Sequence, residues 1–239
     1  MNHVLSAQGL SKTFAGKTVV HDVTIHVGLG EVVGIFGPNG AGKTTTFRMM
    51  VGLQTPDAGT IQFHGQDVTQ WPLYKRARLG LRYLPQEPSI FGALTVEDNL
   101  KAVAELLEPT RALQKAVVCD LLEQFRLTGM SRTPARVLSG GQRRRLEIAR
   151  ALIGKPSHIL MDEPLAGIDP RSIQEFTSLL IQLTEQKVGI LVTDHNVKDM
   201  LPMVHRAYVV HEGWVLCQGT SQDIYNDPRV RQVYLGDQP

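Results

Sequence analysis

The chain has 239 residues, with 25 Lys and Arg against 23 Asp and Glu for a formal charge of +2, and 42% of it is hydrophobic. That is the balance of a folded globular protein, and the even charge gives no reason to expect nucleic acid as a partner. Cys119 and Cys217 lack CxxC spacing, which excludes a disulfide framework or a zinc site and suits a reducing compartment.

The opening MNHVLSAQGLSKTF lacks the charged-then-apolar order of a signal peptide. No apolar run approaches the ~18–20 residues of a membrane span, so any membrane link is expected to come through a partner. VTIHV at 23–27 alternates apolar and polar residues, as a half-exposed strand does. EVVGIF at 31–36 is almost wholly apolar, the pattern of a buried central strand. GPNGAGKTT follows at once and completes the strand–G-x-x-x-x-G-K-[ST]–helix pattern of a phosphate loop.

Thr95 with Asp98 three residues on resembles a capping box for EDNLKAVAELL. Residues 93–153 contain no convincing strand and predict a helical subdomain, about 91–154, inserted into an α/β core of about 1–90 and 155–239. LSGGQRRRL at 138–146 opens another helix, in which Ser139 and Gln142 form an S-x-x-Q box. Leu146, Ala149 and Ile153 give that helix a buried stripe, and Gly154 with Pro156 ends it. Arg143, Arg144 and Arg145 read as a solvated helix face.

HILMD at 158–162, GILVT at 189–193 and RAYVV at 206–210 are further buried strands. Asp169-Pro170 caps and starts a helix running to about Gln186. Asp227-Pro228 repeats the device, with Gly236 closing the last helix.

The chemistry begins at the phosphate loop. Gly37, Gly40 and Gly42 let successive N–H groups converge on an anion, and the following helix adds its positive end. Lys43 is placed to reach the β- and γ-phosphates, and the Thr44 hydroxyl to ligate Mg²⁺. Asp162, at the end of an apolar strand, matches the aspartate that holds Mg²⁺ in phosphate-loop enzymes. Glu163 follows, and strand alternation turns it to the other face, where it can accept a proton from water or orient it. That pair favours hydrolysis over mere nucleotide sensing. Gly140 and Gly141 leave a second helix entrance bare for an anion, which raises the question of why one chain carries two.

LSGGQ, with GPNGAGKT before it and ILMDEP after it, is similar to the ATP-binding cassette (ABC) ATPase family over essentially the whole chain. The resemblance implies a RecA-like core, a small antiparallel β-subdomain and a helical subdomain. It implies ATP held by Gly37, Pro38, Asn39, Gly40, Ala41, Gly42, Lys43, Thr44 and Thr45. Phe14 falls where an aromatic, more often tyrosine, stacks on adenine. Gln86 in LPQE matches a glutamine that senses Mg²⁺ and the γ-phosphate, so the implied metal set is Thr44, Gln86 and Asp162. His195 in TDHN matches a histidine that contacts the γ-phosphate.

In the family two cassettes pack head to tail. The second entrance, Ser139, Gly140, Gly141 and Gln142 with Asp169, then covers ATP in the other copy. A lone cassette without a span suggests a transporter subunit whose membrane proteins are separate chains, and the resemblance implies that it works as a homodimer on the cytoplasmic face of the inner membrane.

Three stretches, YLPQEPSIFGALTVEDNL, LVTDHNVKDML and VRQVYLG, resemble the ATPases of lipopolysaccharide export systems, with those of branched-chain amino-acid importers as the alternative. A clamp acting on DNA or ribosomes would bring two cassettes or a coiled-coil insertion, and neither is present. A nucleotide-gated scaffold with negligible turnover is the third alternative. Phe91 in PSIFGAL is expected either to anchor a helix of the membrane subunits or to pack inside the helical part.

Overall fold

The computed structural model describes residues 5–166, 170–195 and 197–235. Two long strands, β1 (Leu5–Phe14) and β2 (Lys17–Val27), open the chain as an antiparallel pair. In β2, Val23, Ile25 and Val27 are buried while Thr24 and His26 are exposed, as the alternation predicts. β3 (Val32–Phe36) is buried throughout and feeds α1 (Lys43–Val51). β4 (Ala58–Phe63) and β5 (Gln66–Asp67) return to the first pair and give a four-stranded antiparallel sheet in the order β2-β1-β4-β5.

The short helix α2 (Leu73–Arg78) ties this sheet to α1. Its Arg76 is 1% exposed, and its guanidinium donates to the carbonyls of Met49 and Met50 at 2.9 and 2.8 Å. A cation there satisfies carbonyls that the end of α1 leaves open and complements the helix dipole.

β6 (Leu81–Leu84) precedes three helices, α3 (Val96–Leu107), α4 (Arg111–Gln124) and α5 (Gly140–Leu152). Thr95 accepts a hydrogen bond from the Asp98 N–H, so half of the expected box forms, and the Asp98 carboxylate takes the Thr95 hydroxyl instead of closing the box. β7 (His158–Asp162), α6 (Pro170–Glu185), β8 (Gly189–Thr193), α7 (Val197–Met200), β9 (Arg206–His211) and β10 (Trp214–Gly219) complete the core. Two short helices, α8 (Ser221–Asn226) and α9 (Pro228–Val230), follow. Asp227 caps the second of these through the N–H groups of Arg229 and Val230. The expected cap at Asp169 and stop at Gly236 lie outside the described residues.

The six-stranded sheet runs β10-β9-β3-β8-β7-β6, parallel except for β10. Its central strands β3, β7 and β8 are buried throughout and read as nearly continuous apolar runs, while the edge strands β6 and β10 are only partly buried. Val33, Ile35, Leu160 and Leu191 pack toward α1 and the antiparallel sheet. Phe36, Ile159, Met161, Ile190 and Val192 pack toward the helical side. These layers, an α/β core, an antiparallel sheet and a helical part, are the ones the family resemblance implies.

Candidate active site

In the order β3, β8, β7, β6 the carboxyl ends of four parallel strands lie side by side. Thr193 is in register with Ile35 on one side and Asp162 on the other. Ligands of open α/β sheets bind off this edge, and the sequence loads it with polar side chains.

The phosphate loop leaves β3 through two positions that only glycine fits. At Gly37, φ is 143° and a Cβ would stand 2.0 Å from the Val210 carbonyl oxygen; at Gly42, φ is 99° and a Cβ would stand 2.6 Å from that of Val19. Pro38 is half-buried, while Asn39 and Gly40 are exposed. The buried Ala41 braces the loop, its carbonyl accepting from the Gly213 N–H at 2.9 Å. No side chain caps α1 at Gly42, so an anion there meets first-turn N–H groups and the positive helix end. Lys43 Nζ curls back to the carbonyls of Gly37 and Pro38, at 2.7 and 2.8 Å. Burial lowers its pKa, and the nearby Glu163 charge works in the opposite direction. Thr44 is exposed and Thr45 half-buried on the first turn.

Asp162 is 8% exposed, and its Oδ1 accepts the Thr193 hydroxyl at 2.7 Å. Here one expectation is corrected. β7 stops at Asp162, and Glu163 adopts φ 44°, so a left-handed turn rather than strand alternation aims its carboxylate. The turn is pinned by Glu163 N–H to the Thr193 carbonyl at 2.8 Å and Ala166 N–H to the Glu163 carbonyl at 3.1 Å. It delivers Oε2 to the Gln86 amide, which donates at 2.7 Å, and to His195 Nδ1, 3.3 Å away. Beneath His195, the buried Asp194 accepts the Leu165 N–H at 3.2 Å and ties the two strand-end turns together.

The structure therefore brings Lys43, Gln86, Asp162, Glu163 and His195 to one edge. Phe14 stands 44% exposed at the end of β1, with the Lys12 ammonium 5.6 Å from its ring centre. Ser139 and Gln142 form the expected reciprocal cap on α5, at 2.9 and 3.3 Å. Gly140 lines a cleft of about 210 Å³ with Gln86 and Glu163. Gly141 lines a separate cleft with residues of α6. Asp169 lies outside the described residues.

The arginine run is not the solvated face expected. Arg144 is 8% exposed and paired with Glu147 at 3.0 Å, and Arg143 and Arg145 are half-buried. Sequence reasoning also passed over Thr193 and Asp194. Their signal was present: two polar residues closing an apolar strand beside another that ends Asp-Glu.

Asp162, Thr44 and Gln86 offer carboxylate, hydroxyl and amide oxygens, a donor set suited to a hard divalent cation. Mg²⁺ prefers a few protein oxygens supplemented by phosphate and water.

A glycine loop into an uncapped helix, a strand-end Asp-Glu pair and a polar fringe from adjacent strands define a phosphate-loop nucleoside triphosphatase. The ABC transporter family model matches residues 20–166. The chain belongs to that family and is an ATP-binding subunit with ATPase activity.

It is 50% identical over 234 residues to a probable ABC transporter ATP-binding protein of Azorhizobium caulinodans, covering 98% of this chain and 83% of that protein. It is 50% identical over 238 residues to the lipopolysaccharide export system ATP-binding protein LptB of Acidithiobacillus ferridurans, covering 100% of this chain and 99% of the relative. With LptB of Escherichia coli K12 the identity is 45% over 234 residues, covering 98% and 97%. A crystal structure of an ABC transporter's ATP-binding cassette in its ADP conformation superposes with TM-score 0.88 at 26% identity, covering 99% of this chain and 100% of that one. No described helix is long and apolar enough to cross a membrane.

Proposed function

We propose that this chain is the ATP-hydrolysing subunit of a lipopolysaccharide exporter, working as a homodimer on the cytoplasmic face of the inner membrane. The end-to-end match to the LptB relatives carries that reading and favours it over an importer of branched-chain amino acids. Its partners are then transmembrane subunits like LptF and LptG with an LptC-like component. Residues 91–154 act as the helical subdomain and the rest as core and β-subdomain.

The site geometry supports the following roles. The loop from Gly37 to Thr45 wraps the phosphates, with Lys43 turning from the loop carbonyls to the β- and γ-phosphates, while Phe14 stacks on adenine. Asp162, Thr44 and Gln86 hold Mg²⁺, which neutralises charge on the transferred phosphoryl group. Glu163 orients the attacking water or takes its proton, which is worth about 10²–10⁴-fold in rate. Gln86 and His195, both beside its Oε2, keep that carboxylate in place until a γ-phosphate competes for them.

Ser139, Gly140, Gly141, Gln142 and Asp169 cover the ATP of the other copy. ATP thus joins two copies, and hydrolysis releases them, a population switch driven by differential affinity. Phe91, 52% exposed, supports the reading that this face anchors the membrane subunits. The deciding experiment is affinity purification of the native chain from detergent-solubilised membranes. LptF- and LptG-like proteins should co-purify and support ATP-dependent lipopolysaccharide release; permeases of an amino-acid importer in their place would refute the reading.

A further inference from the structure

The segment between Gln86 and Phe91 joins the catalytic edge to the exposed face proposed for membrane subunits, and it is fastened to α5 at one residue. The Ser89 N–H donates to Glu147 Oε1 at 2.8 Å. One turn along the same helix, Arg150 donates to the Ser89 carbonyl at 2.5 Å and to its hydroxyl at 2.6 Å. The Arg150 guanidinium also lies 5.2 Å from the centre of the Phe91 ring.

Glu147 is 4% exposed, and its second oxygen holds Arg144, itself buried near the N-terminal end of α5. A buried carboxylate is stable only when paired and hydrogen-bonded, so the two contacts maintain each other. About two turns of regular helix then connect this fastening rigidly to the Ser139 cap. At the other end of the loop, Gln86 holds Glu163.

We propose that Glu147 is a positioning residue: its carboxylate clamps Ser89 to α5, so that Gln86, Phe91 and the Gly140 end of the helix move as one body. A push on Phe91 then reaches both the catalytic carboxylate and the surface that closes on a second ATP. The transmission of a push from membrane subunits rests on the function proposed above; the clamp itself does not.

The test uses ATP hydrolysis by the purified full chain, alone and assembled with its membrane subunits. Glu147→Ala removes both contacts, whereas Glu147→Gln keeps an acceptor for the Ser89 N–H. Glu147→Ala is expected to lower kcat per folded molecule about tenfold while KM for ATP moves less than about twofold, because the Lys43 loop is untouched. Glu147→Gln is expected to recover about threefold of that loss.

A purely structural role would lower the melting temperature and leave kcat per folded molecule unchanged, and that result overturns the proposal. So does a Glu147→Gln rate no better than that of Glu147→Ala. If Glu147→Ala does not fold, Arg150→Ala releases Ser89 from the other side and must show the same kcat-selective loss. In the assembled transporter, either variant should lose the stimulation that membrane subunits give. Failure of the wild type to assemble refutes the transporter reading and leaves the isolated-chain rates to judge the clamp.

Discussion

Thr193→Val removes one hydroxyl from beneath the site and changes little else. Valine keeps the volume and strand preference of threonine, and the position is 2% exposed, so packing is preserved. The lost contact is the 2.7 Å bond to Asp162 Oδ1, whose carboxylate is itself 8% exposed. A hydrogen bond to a charged group is worth about 1.5–3 kcal/mol. For a chain of this size that is a fall in Tm of about 3–12 °C. The carboxylate would also lose its fixed rotamer, and re-immobilising it on a cation costs about 0.5–1.5 kcal/mol, so half-saturating Mg²⁺ should rise about two- to tenfold. Titrating MgCl₂ at saturating ATP, with a melting curve in parallel, measures both quantities. kcat at high Mg²⁺ should approach the wild-type value. A lowered Tm with unchanged Mg²⁺ dependence would show that Asp162 is held for stability and not for the cation.

Glu163→Gln should reduce steady-state hydrolysis by about 10²–10⁴-fold and trap an ATP-bound dimer visible by size-exclusion chromatography; near-unchanged turnover would remove the role given to Glu163. Gly42→Ala should weaken ATP binding and lower stability by about 2–5 kcal/mol, from positive φ and overlap with the Val19 carbonyl together, as read by calorimetry and melting. Burial lowers the Lys43 pKa from 10.5, so the amine loses its charge earlier than usual as pH rises. kcat/KM for ATP should therefore decline on the alkaline side below pH 10.5, and a flat profile to that pH would contradict the placement of Lys43. Phe91→Ala should abolish co-purification of membrane subunits with little change in Tm, since the ring is half-exposed; retained complex with a destabilised chain would favour a packing role.

The elements that carry the chemistry were legible because each rests on a local rule. The loop at Gly37–Thr45, the caps at Thr95, Ser139 and Asp227, and the runs at β3, β7 and β8 all follow from residues within a few positions of one another. What escaped depends on contacts across the chain. The carboxylate of Glu163 is aimed by a left-handed turn pinned to Thr193, thirty residues on, which strand periodicity does not register. Arg144 is buried because Glu147 on its own helix also takes the Ser89 N–H, so a run that reads as solvated becomes part of a packed junction. Thr193 and Asp194 look like ordinary strand-end polar residues until the sheet order sets them beside Asp162 and Leu165.

The central claim is that the helix end at Ser139–Gln142 serves ATP bound by a second copy. It is tested by mixing two defective chains, one carrying Lys43→Ala and the other Gly141→Glu. Each alone has no complete site, whereas a head-to-tail pair holds one site with an intact Lys43 and an intact Gly141. Mixing should restore ATP hydrolysis to about a quarter of the wild-type rate, for random pairing and independent sites. If both variants fold and the mixture stays as inactive as its components, the two helix entrances do not meet across a dimer and the account fails.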